Sequence, residues 1–260
     1  MRLSKWHGLG NDYLLLEQTD PLLELTPERV TRLCDYHFGV GSDGIVEIVS
    51  SSADEAEARI WNPDGSQAEL SGNGVRIAAR WLARRTARAE VRIRVGERTV
   101  EAHMLGGLEV ETEMGEVTVG EPETLDLGGE QIEFIPVSVG NPHAVIAHEP
   151  ERSELLRIGP LVERHPRFPE RTNVQLVYVD NRHEITVAVW ERGAGETLAS
   201  GTSSVATASA AIAQDWCESP VTVHLVGGDL IVSLSPQHKA TLVGEAQEIC
   251  SVELSPEFLI

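Results

Sequence analysis

The chain of 260 residues carries 41 acidic and 21 basic side chains, a formal net charge of −20, with 41% hydrophobic residues. That length suits two average domains or one large one, and an acidic surface repels phosphate backbones, which argues against a nucleic-acid partner. No apolar run approaches the roughly 18 residues of a membrane span and MRLSKWHGLGNDY holds no apolar signal region, so no membrane and a cytoplasmic location are expected.

The chain opens on the strand-like runs RLSKWH and DYLLLEQ, then reaches TPERVTRLCDYH, where Thr26 is placed to cap a helix and Pro27 to occupy its first position. Gly39, Gly41 and Gly44 match the spacing of a dinucleotide fingerprint. That motif must follow a strand and open a helix, whereas this one follows a helix and enters the strand-like GIVEIVS, so no nucleotide cofactor is expected. EARIWN continues the strands, a second helix is predicted from about Gly74 to Arg85, and EVRIRV, RTVEAHM and LEVETEM alternate apolar and polar residues as half-buried antiparallel strands do. MGEVTVGEPETLDLGGEQ reads as a turn-rich junction. Strands resume in IEFIPVSV, HAVIA, NVQLVYV and HEITVAVW, a third helix is predicted in GTSSVATASAAIAQDW, and VTVHLV, DLIVSL, KATLVGE and EICSVEL close the chain. Cys34, Cys217 and Cys250 lie far apart without metal-ligand spacing, so each is expected to be a buried or partly buried small apolar residue, with no disulfide framework and no metal.

Both halves place strands around essentially one long helix, and they align. Setting Ser71 over Ser200 brings IWNPDGSQAELSGNGVRIAA over VWERGAGETLASGTSSVATA without a gap. Trp61 then meets Trp190, Asn62 meets Glu191, and Ala78 meets Thr207. The expected fold is α/β (α+β): two pseudo-symmetric domains, each a β-barrel-like sheet wrapped around a central helix. Read alone, Ser71 is a helix cap, a serine oxygen accepting from a free N–H of the first turn. Duplication about a pseudo-twofold axis would bring both helix starts to one cleft, where free N–H groups and helix dipoles favour a carboxylate. It would also set Ser71 and Ser200 on opposite sides of a bound carbon, the arrangement a two-base racemisation needs. Asn11, Asn141 and Asn173 stand in loops beside strands. Each taken singly is a turn residue, but together they offer the donors and acceptors that an amino acid requires.

In chain order HGLGNDY, NPDGSQAELSGNGVR, VSVGNPHAV, FPERTNV and ERGAGETLASGT resemble the motifs of the diaminopimelate epimerase family. The resemblance runs along nearly the whole chain. It implies an isomerase that inverts one α-carbon of LL-diaminopimelate to the meso form, independent of pyridoxal phosphate and of metal, acting as a homodimer and closing its domains to exclude water. It divides the chain into residues 1–118 with 246–260 and residues 119–245. Carried over by position, Asn11, Asn62, Asn141 and Asn173 would hold the substrate, as would Glu191 and Arg192. Gly72, Asn73, Gly201 and Thr202 would present helix-start amides to the reacting carboxylate. His143 and Glu191 would assist proton transfer. Gly44 stands where some relatives carry an amide side chain.

The departure is central. The family transfers protons with a cysteine pair, and Ser71 and Ser200 occupy both places. A thiol starts near pKa ~8.5 and a hydroxyl several units higher, a gap that a helix dipole worth at most about 2 kcal/mol does not close. Three readings follow. The serines work as a pair with His143 and Glu191 taking the proton; or both cysteines have been replaced, keeping binding and losing turnover; or the chain is a diverged relative that epimerises, racemises or only binds another amino acid.

Overall fold

The computed structural model describes residues 2–18, 24–68 and 70–259. In chain order they form β1 (Arg2–Gly8), β2 (Asn11–Glu17), α1 (Pro27–Cys34), β3 (Ile45–Ser51), β4 (Glu55–Trp61), β5 (Gln67–Ala68), α2 (Gly72–Thr86), β6 (Glu90–Val95), β7 (Arg98–Gly106) and β8 (Glu109–Glu116). There follow β9 (Thr118–Val119), β10 (Glu123–Asp126), β11 (Gln131–Ser138), β12 (Pro142–Ala147), α3 (Arg152–Glu163), β13 (Asn173–Asn181), β14 (Glu184–Glu191), β15 (Gly195–Thr197), α4 (Gly201–Ala213), β16 (Val221–Leu225), β17 (Gly228–Leu234), β18 (Lys239–Glu245) and β19 (Gln247–Glu253), with a final 3-10 turn at Pro256–Leu259. Two compact units result, Met1–Thr112 with Gly244–Ile260 and Glu113–Val243, where the sequence reading placed the junctions at 118/119 and 245/246. None of the described helices is long and apolar enough to cross a membrane.

In the first unit, alternation builds the sheet. Val91, Ile93 and Val95 of β6 point inward, while Arg92 and Arg94 point out and meet Glu55 and Glu57 of the parallel neighbour β4 at 3.2 and 2.7 Å. The core of this unit is α2. Val75, Ile77, Ala78, Ala79, Leu82 and Ala83 are buried among Trp6, Tyr13, Val46, Ile60 and Ile93, so the helix is enclosed by sheet. A helix hydrophobic on most sides has to be wrapped in this way. α1 instead lies on the outer face with one apolar stripe, Val30, Leu33 and Cys34, packed on Leu14, Leu16 and Ile45. Two of the three glycines of the discarded fingerprint serve this helix end: Gly41 donates with Val40 to the Leu33 carbonyl, and a Cβ on Gly39 would sit 2.0 Å from the Arg32 oxygen.

The second unit corrects the expectation of one helix per half. α3 was hidden because Glu151 provides no side-chain cap and Pro160 interrupts the helical pattern. It holds because Leu155, Ile158 and Val162 pack on Phe134, Ile146 and Leu176, and because Gly159 lets the Trp190 ring approach so closely that a Cβ there would lie 2.8 Å from Cγ. α4 is its enclosed helix, with Val205, Ala206, Ala208, Ala210 and Ala211 buried. The acidic junction is not all turn either, since β9 pairs with β11 at Val119–Val137 and β10 pairs with β11 at Leu125–Ile132. Cys34 and Cys217 are buried as expected, whereas Cys250 is exposed.

Each unit described by itself has the same pairing graph. In the first, β1–β2 is antiparallel, β2–β3 parallel, β3–β4 and β4–β5 antiparallel, β4–β6 parallel, and β6–β7 and β7–β8 antiparallel. In the second, β11 to β18 repeat that order and those senses strand for strand. One helix follows the β2-type strand and the enclosed helix follows the β5-type strand in both.

Candidate active site

The enclosed helices begin in matching ways. Ser71 caps α2 with φ −133° and ψ 119°, and Ser200 caps α4 with φ −143° and ψ 122°. Their carbonyls accept from Val75 N at 2.9 Å and Ser204 N at 3.0 Å. The side chains then diverge. Ser71 Oγ accepts from Gly74 N at 3.1 Å and lies 3.0 Å from the Tyr13 hydroxyl. Ser200 Oγ leaves its own helix unbonded and donates to Glu191 Oε2 at 3.2 Å. The cap expected of Ser71 is thus present, while its counterpart trades the cap for a carboxylate. Desolvation raises the Glu191 carboxyl above its ordinary value, and the Ser200 hydrogen bond offsets part of that.

Asn11 and Asn73 are brought together at the α2 start by a polar chain. Arg76 Nη2 donates to Asn73 Oδ1 at 2.5 Å, Asn73 Nδ2 to Asn11 Oδ1 at 2.9 Å, and Asn11 Nδ2 to Asp43 Oδ2 at 3.0 Å. Arg76 is fully buried, and its Nε and Nη1 have no partner. Burial lowers this guanidinium to about 10. Asn62 is not drawn in: its Nδ2 donates to Ser66 Oγ at 2.9 Å and its carbonyl accepts from Gly65 N at 3.0 Å, closing the NPDGS turn.

In the second unit, Asn173 ties the start of β12 to the chain after β14, donating to the Pro142 carbonyl and accepting from Arg192 N, both at 3.0 Å. The Arg192 guanidinium reaches the Glu170 carbonyl at 3.3 Å. His143, 1% exposed, makes two bonds: Gln175 Nε2 donates to Nδ1 at 3.1 Å and Nε2 faces Asn141 Oδ1 at 3.0 Å. Those partners fix the neutral tautomer with the proton on Nε2. Burial lowers the imidazole from 6.5 to about 3. His143 makes no hydrogen bond with Ser200, which Glu191 holds instead. Gly72 and Gly201 are the buried first residues of their helices, and Thr202 is half-buried beside Gly201.

Several supporting residues carried no sequence signal of their own. Glu163, 2% exposed, accepts from Trp190 Nε1 at 2.8 Å and from Gly193 N at 3.0 Å, so α3 clamps the ERGAG loop. In the first unit Glu47 accepts from Trp61 Nε1 at 2.9 Å. The repeated tryptophans were visible, but their carboxylate partners come from different elements, α3 and β3, and no alignment of the two halves pairs them. Among the described residues, no metal-sized group of His, Cys and carboxylate side chains includes a residue of either helix start.

Two repeated sheets, each around an enclosed helix, form a fold shared with solved structures of several proteins. A predicted epimerase of Pseudomonas aeruginosa has it, with a TM-score of 0.71 over 97% of this chain and 98% of its own at 16% identity. So does a probable proline racemase of Agrobacterium radiobacter K84, with a TM-score of 0.73 over 99% of this chain and 95% of its own at 14% identity. Sequence narrows the class: the family model described as Diaminopimelate epimerase matches residues 3–120 and 135–249. The diaminopimelate epimerase of Desulfitobacterium hafniense is 38% identical over 95% of both chains, and that of Pelotomaculum thermopropionicum is 38% identical over 97% of this chain and 98% of its own. The chain belongs to the diaminopimelate epimerase family.

Proposed function

We propose that this protein is a diaminopimelate epimerase in which a serine pair performs two-base inversion of the LL to the meso form, a step of lysine and peptidoglycan-precursor biosynthesis. One serine removes the α-proton and the other delivers a proton to the opposite face. The observation that carries this reading is the bond from Ser200 to Glu191, because a carboxylate accepting the hydroxyl proton is what lets a serine act as a base. Family membership over nearly the full length supports the substrate. Glu191 is the immediate proton partner, and His143 assists as a neutral imidazole through Asn141. The amides of Gly72, Asn73, Gly201 and Thr202 bind the reacting carboxylate as helix N-termini do. Asn11, Asn62, Asn141, Asn173 and Arg192 hold the rest of the substrate. The enzyme works in the cytoplasm as a homodimer.

The test is deuterium entry at the α-carbon of LL- and meso-diaminopimelate in D₂O, with the parent and a Ser71→Cys, Ser200→Cys double variant. The parent should exchange the α-proton. Exchange confined to the double variant would overturn turnover by serine. Binding of another amino acid, with diaminopimelate exchanged by neither protein, would overturn the substrate.

A further inference from the structure

The two serines do not present the same atoms. Ser200 directs its proton to Glu191, which leaves the oxygen lone pairs free to accept. Ser71 accepts from Gly74 N, and a Tyr13 hydroxyl donating at 3.0 Å would engage its second lone pair. The Ser71 proton is then the one group left to offer. With Tyr13 as the donor, Ser200 is arranged as a base and Ser71 as an acid.

Strand register shows that Tyr13 holds a special position. Leu14 of β2 pairs with Ile45 of β3, which pairs with Trp61 of β4. Ala144 of β12 pairs with Val174 of β13, which pairs with Trp190 of β14. The residues preceding Leu14 and Ala144 are Tyr13 and His143, so Tyr13 is the repeat counterpart of His143 just as Asn62 is of Glu191. In the first unit the β2-side residue reaches the serine and Asn62 turns away; in the second the β14-side residue reaches it and His143 turns away. Each serine has one proton partner, drawn from opposite members of the same pair of positions. Gly44 makes room for this one, since a Cβ there would lie 2.5 Å from the Trp61 oxygen and 2.7 Å from Tyr13 Cε1.

We propose that Tyr13 is the proton relay behind Ser71, making Ser71 the acid and Ser200 the base in the direction that starts from a Glu191 carboxylate. The inference rests on the serine-pair reading above. The α-carbon C–H bond breaks as its proton bonds to Ser200 Oγ, and the former Ser200 proton passes to Glu191. On the other face the Ser71 O–H bond breaks to form the new C–H bond, and Ser71 takes the phenolic proton. The net change is one proton from Tyr13 to Glu191, leaving a phenolate and a carboxylic acid; the reverse reaction uses that state directly, and proton exchange with water after product release, Glu191 losing a proton and Tyr13 regaining one, restores the starting state for another turnover in the same direction. A phenol ionises near ~10, much closer to a thiol at ~8.5 than a serine hydroxyl is. The relay thus replaces most of the acidity that serine lacks.

The test is α-deuterium exchange of diaminopimelate by the parent, Tyr13→Phe, Ser71→Cys, and the variant carrying both changes. Phenylalanine keeps the ring against Gly44 and removes only the hydroxyl. Tyr13→Phe should slow exchange about 100-fold, in the range of a lost acid-base partner. With Ser71→Cys present, the Tyr13→Phe penalty should shrink to about tenfold or less, because a thiol ionises without the relay. A parent that exchanges while Tyr13→Phe stays within threefold of it overturns the relay and leaves the serine pair standing. Equal penalties with serine and cysteine at 71 show that Tyr13 only packs. A parent with no exchange overturns the serine reading and the relay together.

Discussion

Lowering the pH should weaken the second unit through one residue, His143. In the fold its imidazole is lowered to about 3 by burial, from 6.5. The unfolded chain therefore binds a proton below about pH 6.5 that the folded chain refuses, and stability falls as pH falls through that window. Between pH 7 and pH 5 this group alone should cost about 2 kcal/mol, rising to about 5 kcal/mol below pH 3. The assay is urea unfolding followed by circular dichroism at both pH values for the parent and His143→Gln, which cannot titrate but keeps a donor for Asn141. Carboxylates contribute to both proteins alike, so the parent's extra loss isolates the imidazole. Equal losses within about 0.5 kcal/mol would refute a neutral, buried His143 and with it the tautomer drawn between Gln175 and Asn141.

Two further outcomes follow from the helix starts. Glu191→Gln keeps an acceptor for Ser200 but cannot store a proton, so steady-state epimerisation should show kcat reduced about 10² to 10⁴-fold with little change in KM; activity within tenfold of the parent would remove Glu191 from the chemistry. Arg76→Met should hold the urea midpoint at or above the parent's, because lowering a guanidinium from 12.5 to about 10 marks about 3 kcal/mol of unfavourable charge burial. The same change should raise KM by freeing Asn73 and Asn11, and a loss of stability would show instead that the guanidinium braces the helix start.

What the sequence disclosed divides along physical lines. Periodicity and the gapless Trp61/Trp190 register exposed the sheets, the enclosed helices and both serine caps, because these depend on local pattern. α3 escaped because its stability comes from tertiary burial of Leu155, Ile158 and Val162 against sheet, while its proline and uncapped start work against it locally. The glycine triplet lies between α1 and β3, the helix-to-strand context that its sequence indicated. Tyr13 stood inside a quoted motif, HGLGNDY, with no role assigned to it: its reach to Ser71 depends on the β2–β3 register and on the missing side chain at Gly44. Nothing in the composition indicates that the Arg76 guanidinium is fully buried.

The duplicated backbone and the unlike side chains answer different requirements. Two helix starts of the same geometry give each serine the same relation to its own strand and helix, which a reaction at both faces of one carbon needs. A cycle that removes one proton and delivers another requires one side to begin protonated and the other not, and unlike proton partners would set that difference. Under the proposed serine-pair reaction, the positions 13/143 and 62/191 would meet both demands. The strands keep their register, while a phenol faces one serine and a carboxylate the other. An enzyme with thiols can set this asymmetry by which sulfur holds the proton, since thiolate and thiol are both accessible near neutral pH. With hydroxyls in both places the asymmetry has to be carried one atom further back, by the groups that hydrogen-bond them.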